Sequence, residues 1–530
     1  MHNSKIISFL FGSSGSVSPG QVQTIDGKTF FHFISKKSMN RKLLVIAVTG
    51  TIIQFFIFKL LYPFPDCFSD SYSYIYAAYA HLDVSIWPIG YSKFLGAFHI
   101  LTHSDTGLVA FQYFFLELAS LYFFFTIGYF FSPGRMTEII LFIFFFFNPL
   151  FLYLSNYINS DPLFMALSLW WFAELIWIVN RPRLYHILTQ GLLLFICFTV
   201  RNNAFIYPFI SILAFVLSRQ RIWLKVAGSL VGPLLILGFI QHTRVVAKRL
   251  TGTAQFSMFT GWQMANNALY MYGHIKVDST ALPNKQIAEL DSLSREFYRN
   301  VPANFTGYLN SYVGNFFIRY PMAPLKQYLG NHYPLSGSYS IVKAWGEASP
   351  IFYEYGSYLI KKHPVSFARY YLLLNTKYYF FPPLEKLEVY NENRDDIEPM
   401  GQYWFDYQTP SVSSVSKNLQ GNLLIFLPAV FLIINLYFFG ALGWYYFSRV
   451  RMNLRARLNQ TSILMGSFFV LNFFFCVFAT IIVFRYEIFP MVIGLSFDLL
   501  ILESLFQQGT KTELGLVAKE QNELVHELSQ

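Results

Sequence analysis

Ten stretches of this chain are long and apolar enough to cross a lipid bilayer or fill the interior of a helix bundle. A spanning helix needs about 20 mostly apolar residues. Such runs occur near 43–62, 108–131, 137–155, 162–179, 186–200, 203–218, 223–243, 421–447, 461–484 and 487–506. The fifth and sixth are short, with Arg201, Asn202 and Asn203 between them, and their combined length suits two spans better than one. Composition agrees. Charged residues make up 13% of the 530 positions and hydrophobic ones 54%, against about 25% charged in an ordinary soluble domain. The expected fold is an all-α polytopic membrane protein with about 10 transmembrane helices.

The net charge of +10 would suit nucleic acid if the cations shared one surface. They sit instead in short clusters beside apolar runs, so membrane lipids and not nucleic acid are the expected surroundings. With the N-terminus inside, Lys36, Lys37, Arg41 and Lys42 precede the first span. Alternate loops then carry Arg135, Arg181 with Arg183, Arg219 with Arg221 and Lys225, and Arg449 with Arg451, Arg455 and Arg457. The short loops on the other side hold only Lys93, Arg201 and Arg485, so one parity obeys the positive-inside rule.

That parity divides the chain into a cytoplasmic tail (1–42), helices 1–7 (43–243, with a first extracytoplasmic loop at 63–107), an extracytoplasmic domain (244–420), helices 8–10 (421–506) and a second cytoplasmic tail (507–530). The first forty residues lack the apolar core of a signal peptide. In the first loop, Ile75, Ala78, Tyr79 and Leu82 recur at helical spacing, which predicts a helix over 70–82 lying along the membrane surface. The segment 87–101 reads similarly. The large domain is expected to be mainly helical, with pieces near 284–300 and 350–380 and a turn-rich joint at Leu335–Ser338. Cys67, Cys197 and Cys476 have neither pairing nor ligand spacing. No internal repeat is visible, which counts against an inverted-repeat transporter.

The informative charges are those that break the orientation rule. Arg201 and Arg485 both stand at outer ends of spans. Each reads either as a snorkelling anchor or as one arm of a phosphate site, since a planar guanidinium matches phosphate oxygens in pairs. Asp66 and Asp70 follow the first span, and Asp161 opens the fourth just before Pro162. Asp70 and Asp161 both fit helix N-caps, and a helix N-terminus would lower the pKa of such a carboxylate. By parity, Asp70, Asp161, Arg201 and Arg485 lie near one face of the membrane. Glu117 and Glu174 fall within spans and read as internal hydrogen-bonded structure or as ion-coupling groups. His242 and His363 read as interfacial or helix-end residues, and Asn304-Phe305-Thr306 is a formal glycosylation sequon.

These residues, in this order, resemble the GT-C membrane glycosyltransferases, the group that includes protein O-mannosyltransferases and the lipid A aminoarabinose transferase. The resemblance rests on Asp70-Ser71-Tyr72-Ser73-Tyr74 with Ala77-Ala78, on Trp87-Pro88-Ile89-Gly90-Tyr91, on Ser160-Asp161-Pro162-Leu163, on Val200-Arg201-Asn202-Asn203, and on Phe484-Arg485-Tyr486 with Pro490. Ser71 stands where the family often has a second acid, leaving Asp70 and Asp66 both open as the base.

The resemblance implies an integral-membrane glycosyltransferase that moves a hexosyl or pentosyl unit from a polyprenyl-phosphate sugar donor to a lipid, glycan or protein acceptor, with inversion, on the extracytoplasmic face. Arg201 and Arg485 would bind the carrier phosphate, with Tyr74 and Tyr486 beside the substrate, and Asp161 would orient the sugar or the base. The resemblance leaves room for a divalent metal, magnesium or manganese, though no ligand cluster demands one. The aromatic-rich, cysteine-poor composition suits a bacterial cytoplasmic (inner) membrane, with the site facing the periplasm. The alternatives are a polytopic transporter or flippase, in which Glu117 and Glu174 would matter most, and a polysaccharide polymerase or ligase, which would lean on His363.

Overall fold

A computed structural model describes residues 29–301, 307–309, 313–333, 338–447 and 456–505. Among these residues there is no strand, only two isolated bridges, and the fold is helical throughout. All ten apolar runs are helical: α1 (Ser38–Leu61), α2 (Asp105–Phe131), α3 (Arg135–Asn156), α4 (Ser160–Asn180), α5 (Tyr185–Val200), α6 (Asn202–Leu217), α7 (Ile222–Thr251), α8 (Leu419–Gly440), α9 (Leu458–Ala479) and α10 (Phe484–Leu505). Eight of them are long enough to span a bilayer; α5 and α6 are shorter. The eight apolar helices fit an integral, multi-pass membrane protein.

Helix α4 is buried along most of its length, while α1 and α7 expose most of theirs. The bundle is thus built around α4, with α1 and α7 at its edge facing the lipid. Phe and Leu fill the space between helices, with Trp171 stacked flat on Tyr207 at 3.9 Å. Helix α3 is broken at Asn148-Pro149, where the Asn148 side chain accepts the Leu150 N–H at 3.0 Å; proline cannot supply the missing donor.

Three sequence expectations shift. The seventh run continues to Thr251, eight residues past its expected end, as an amphipathic extension that buries Thr243, Ala247 and Thr251 and exposes Arg244, Lys248 and Arg249. The first loop holds two helices, Ser69–Tyr79 and Gly90–Leu101. Ile75 and Ala78 are buried by packing on the protein itself, whereas Tyr79 is half exposed. The region 244–420 is divided. Residues from Trp262 to Tyr371 form a separate core around Leu290, Phe317, Tyr328 and Phe352, whereas Leu384, Leu387, Tyr390, Ile397 and Trp404 join the core of the bundle.

The helix Lys285–Asn300 is where the sequence places it, capped by Asn284, whose side chain accepts the Ile287 N–H at 2.9 Å. Most of both tails, Arg449, Arg451 and Arg455, the sequon at 304–306 and most of the joint at 335–338 lie outside the described residues.

Candidate active site

Four of the sequence-selected residues meet at one end of the bundle. Asp161 bridges the two arginines: one carboxylate oxygen pairs with Arg201 and the other accepts from Arg485 Nη1 at 3.2 Å. Arg485 Nη2 lies 3.7 Å from Asp70 Oδ2. The Tyr486 hydroxyl accepts from Arg485 at 3.2 Å, and its ring lies 4.5 Å from the Arg201 guanidinium. Tyr74 shares a hydrogen bond with Ser160 at 3.1 Å, next to Asp161 in the chain.

Local structure explains why the acids are available. Asp70 is not the cap of its helix: the turn is closed by the Phe68 N–H donating to the Ser71 hydroxyl at 3.2 Å, so the Asp70 side chain can turn to Arg485. The cap of α4 is Asn159, whose side chain accepts the Ser160 N–H, which frees Asp161 for the arginines. Both capping expectations are thereby corrected by a neighbour that reaches the helix end first. The expected lowering of the Asp70 pKa is corrected as well. Burial raises it, outweighing the opposing pull of Arg485, Arg319 and Lys386; a carboxylate with little water loses more than a helix end returns.

Backbone contacts set the arginines. Arg201 follows the last turn of α5, and Gly90 packs so tightly on Thr199 that a Cβ there would sit 2.6 Å from the Thr199 carbonyl. The Trp87–Tyr91 motif is thus a close-approach joint between the first loop and the chain leading to Arg201. Tyr91 donates to Gln112 at 2.7 Å, and Gln112 donates to the Ser155 and Tyr157 carbonyls, bracing the turn that delivers Asp161.

Asp66 has a different place. It is 3% exposed, its backbone pairs with Asn156 and Ile158, and its carboxylate accepts the Asn391 N–H at 3.0 Å. It clamps the loop 385–396 onto the first loop. That loop carries what the sequence reading missed. The Phe484 N–H donates to the Pro383 carbonyl at 2.9 Å, which brings Glu385 against Arg485, Oε2 to Nε 3.6 Å, and within 3.5 Å of Arg319. Lys386 pairs with Glu392 and lies over the Phe68 ring at 5.1 Å.

Glu385, Asn391, Glu392 and Asn393 all have left-handed backbones, with φ of 53°, 48°, 51° and 66°. Each costs about 1–3 kcal/mol for a residue other than glycine, and Asn bears it best. Asn391 holds the turn by donating to the Arg394 and Asp396 carbonyls. Acids flanked by prolines, as in Pro382-Pro383-Leu384-Glu385-Lys386, were the available signal, but nothing in the spacing ties them to a span 100 residues later.

The result is a charged cluster in which the Asp161 and Arg485 side chains are 2% and 4% exposed and those of Asp70, Arg201 and Glu385 are 15%, 11% and 17% exposed. Asp70, Asp161 and Glu385 each turn toward a guanidinium. No three His, Cys, Asp or Glu side chains converge as metal ligands among the described residues, so this arrangement does not fit a bound magnesium or manganese.

The remaining candidates lie apart. Glu174 accepts from Tyr122 and Thr189 and pairs with His186 at 2.6 Å, a satisfied internal network. Glu117 is buried in α2 with Oε2 unpartnered. His242 is exposed on α7, and His363 precedes the helix that starts at Pro364. The chain matches no protein-family model, no curated protein and no solved structure.

Proposed function

We propose that this protein is an integral-membrane glycosyltransferase of the GT-C kind that takes its sugar from a polyprenyl-phosphate donor and works on the extracytoplasmic face, in a bacterial cytoplasmic membrane. The observation that carries the reading is the convergence of Arg201 and Arg485 on Asp161 with Asp70 beside them, at the end of the bundle away from Arg135, Arg181 and Arg219. Four charged groups at that depth are costly unless they serve a site.

The proposed chemistry uses these positions. The acceptor hydroxyl attacks the anomeric carbon while the bond from that carbon to the phosphate oxygen breaks, and the electron pair leaves with the phosphate. Arg485 and Arg201 stabilise the charge gathering on the leaving phosphate. Asp70 takes the hydroxyl proton, and its raised pKa makes it a better base than an exposed aspartate. A single displacement inverts the anomeric centre. Asp161 holds the two guanidinium groups at fixed separation, and Tyr74 and Tyr486 border the substrate. Asp70 and Glu385 both stand from Arg485 at distances too long for hydrogen bonds; with Asp70 kept as the base, Glu385 is the carboxylate that an arriving phosphate displaces.

A groove lined by Val84, Ile86, Trp87, Phe239 and Met258 opens beside Asn202, next to Arg201, and offers an apolar bed for a prenyl chain. Glu174 is already satisfied by three partners, so the transporter alternative rests on Glu117, whose Oε2 is buried and unpartnered.

The test uses purified wild-type protein and Asp70→Asn with radiolabelled polyprenyl-phosphate sugars, following release of free carrier phosphate in the presence of a lipid or glycan extract. Turnover by wild type and its loss by at least about 100-fold in the variant, with the thermal midpoint kept, is expected. Equal turnover by both would remove Asp70 from the role of base.

A further inference from the structure

The segment Pro364–Phe380 runs as one helix with a π turn at Ala368–Leu372, and it carries two opposed stripes. Phe367, Tyr371, Asn375 and Tyr379 are buried; Val365, Arg369, Leu373 and Lys377 are exposed, as is Phe381 just past its end. Both stripes repeat every fourth residue. In a helix of 3.6 residues per turn such a repeat drifts around the axis, and the wider π turn takes up the surplus. Each stripe therefore keeps to one face.

The buried stripe fixes the helix in depth. Asn375 Nδ2 donates to the carbonyls of Cys476, Val477 and Thr480 at 3.2, 3.0 and 2.7 Å, at the end of α9 nearest the candidate site. One turn further, Tyr379 packs on Phe431 of α8 and Phe473 of α9. The helix thus descends past the last turn of a spanning helix. Phe474 and Phe478, half-exposed on α9, adjoin in the chain Phe473 and Val477, which this helix contacts, so it stands beside the end of the apolar surface.

At that level the face alternates in chemistry. Val365, Leu373 and Phe381 are 80%, 66% and 48% exposed, with Arg369 and Lys377 between them and Lys361 and Lys362 exposed above. Among the described residues no carboxylate pairs with these four cations. We infer that this face binds the phosphate-bearing headgroups of anionic lipids in the adjoining leaflet. Apolar side chains enter the acyl region while Arg369 and Lys377 reach back to the phosphates. A second copy of the same face would set cation against cation. The inference is independent of the reaction proposed for the site.

The test reconstitutes the whole protein in nanodiscs of phosphatidylcholine alone or mixed with phosphatidylglycerol. Lipid retained after mild detergent extraction is counted by mass spectrometry, and the thermal midpoint is recorded. Wild type is expected to retain phosphatidylglycerol preferentially and to gain midpoint from it. R369Q/K377Q is expected to lose retention by about fivefold for each cation removed, with its midpoint in phosphatidylcholine alone unchanged. Equal enrichment in both proteins, or none in wild type, overturns the inference. So does a wild-type dimer that Leu373→Glu dissociates, which would give the face to a second copy.

Discussion

At the scale of single residues, the candidate site is a set of charges that neutralise one another incompletely, and the slack is at Asp70 and Glu385. Among the three carboxylates Arg485 has one hydrogen-bonded partner, Asp161, and two looser contacts, at 3.7 Å to Asp70 and 3.6 Å to Glu385. Glu385 Oε2 and Arg485 Nε have no hydrogen-bond partner. Replacing Glu385 by Gln removes a like charge from the path of the proposed donor's phosphate. Glu385→Gln is therefore expected to bind a short prenyl phosphate about 10-fold more tightly, a shift of about 1.4 kcal/mol, measured by calorimetry in detergent. Weaker binding would make Glu385 a support for Arg485 and Arg319 instead.

In the proposed reaction Asp70 supplies the pH dependence. Burial lifts its pKa above the usual aspartate value, and a base must be ionised to act. Activity should rise with pH through that lifted pKa, placing the acid limb of kcat/KM above the range of an exposed aspartate. Asp70→Glu should retain a displaced limb, and a limb unchanged in Asp70→Glu would assign it to another group. Arg201 and Arg485 were legible in the sequence because each breaks the orientation rule, and Asp70 and Asp161 because each stands at the outer start of a helix; Glu385 was not. Nor were the contacts among these residues. Which neighbour caps a helix first, Asn159 or Asp161, Ser71 or Asp70, depends on sub-ångström geometry that spacing does not encode.

At the scale of elements, periodicity and length fixed the apolar helices well, because about 20 apolar residues have few other destinations. The outer region was harder. Its helices carry mixed faces, and its packing depends on contacts between distant segments. The helix Thr260–Leu269 lies backbone to backbone against Ser338–Lys362. A Cβ at Gly356 would meet the main chain of Met264 and Ala265 at 2.6–2.7 Å. No side-chain rotation relieves a clash with main chain, so the two helices must separate. Gly356→Val is expected to destabilise the protein by about 1–3 kcal/mol or more. The check is the thermal midpoint in detergent, with Gly330→Ala, where a Cβ meets nothing within 4 Å, as the silent control. The same midpoint in both variants would show that the contact is looser than described.

At the scale of the whole molecule, the charge at the two ends of the bundle makes an orientation claim that can be read directly. Asp70, Asp161, Arg201 and Arg485 gather at one end. The other end carries Arg135, Arg181, Arg183, Arg219, Arg221 and Lys225, the side that the positive-inside rule assigns to the cytoplasm. Cys67, Cys197 and Cys476 are all buried, so the native chain offers little background to a bulky, membrane-impermeant maleimide. Asp83 lies in the first loop and Arg219 in the turn between α6 and α7, and both are exposed. In intact cells, Asp83→Cys is expected to label fully and Arg219→Cys only after permeabilisation. The reverse pattern would turn the molecule over, place the Asp161–Arg485 cluster in the cytoplasm, and exclude a donor presented in the outer leaflet. The measurement reads the side of the membrane without assuming a reaction, so it tests the architecture and bounds the chemistry together.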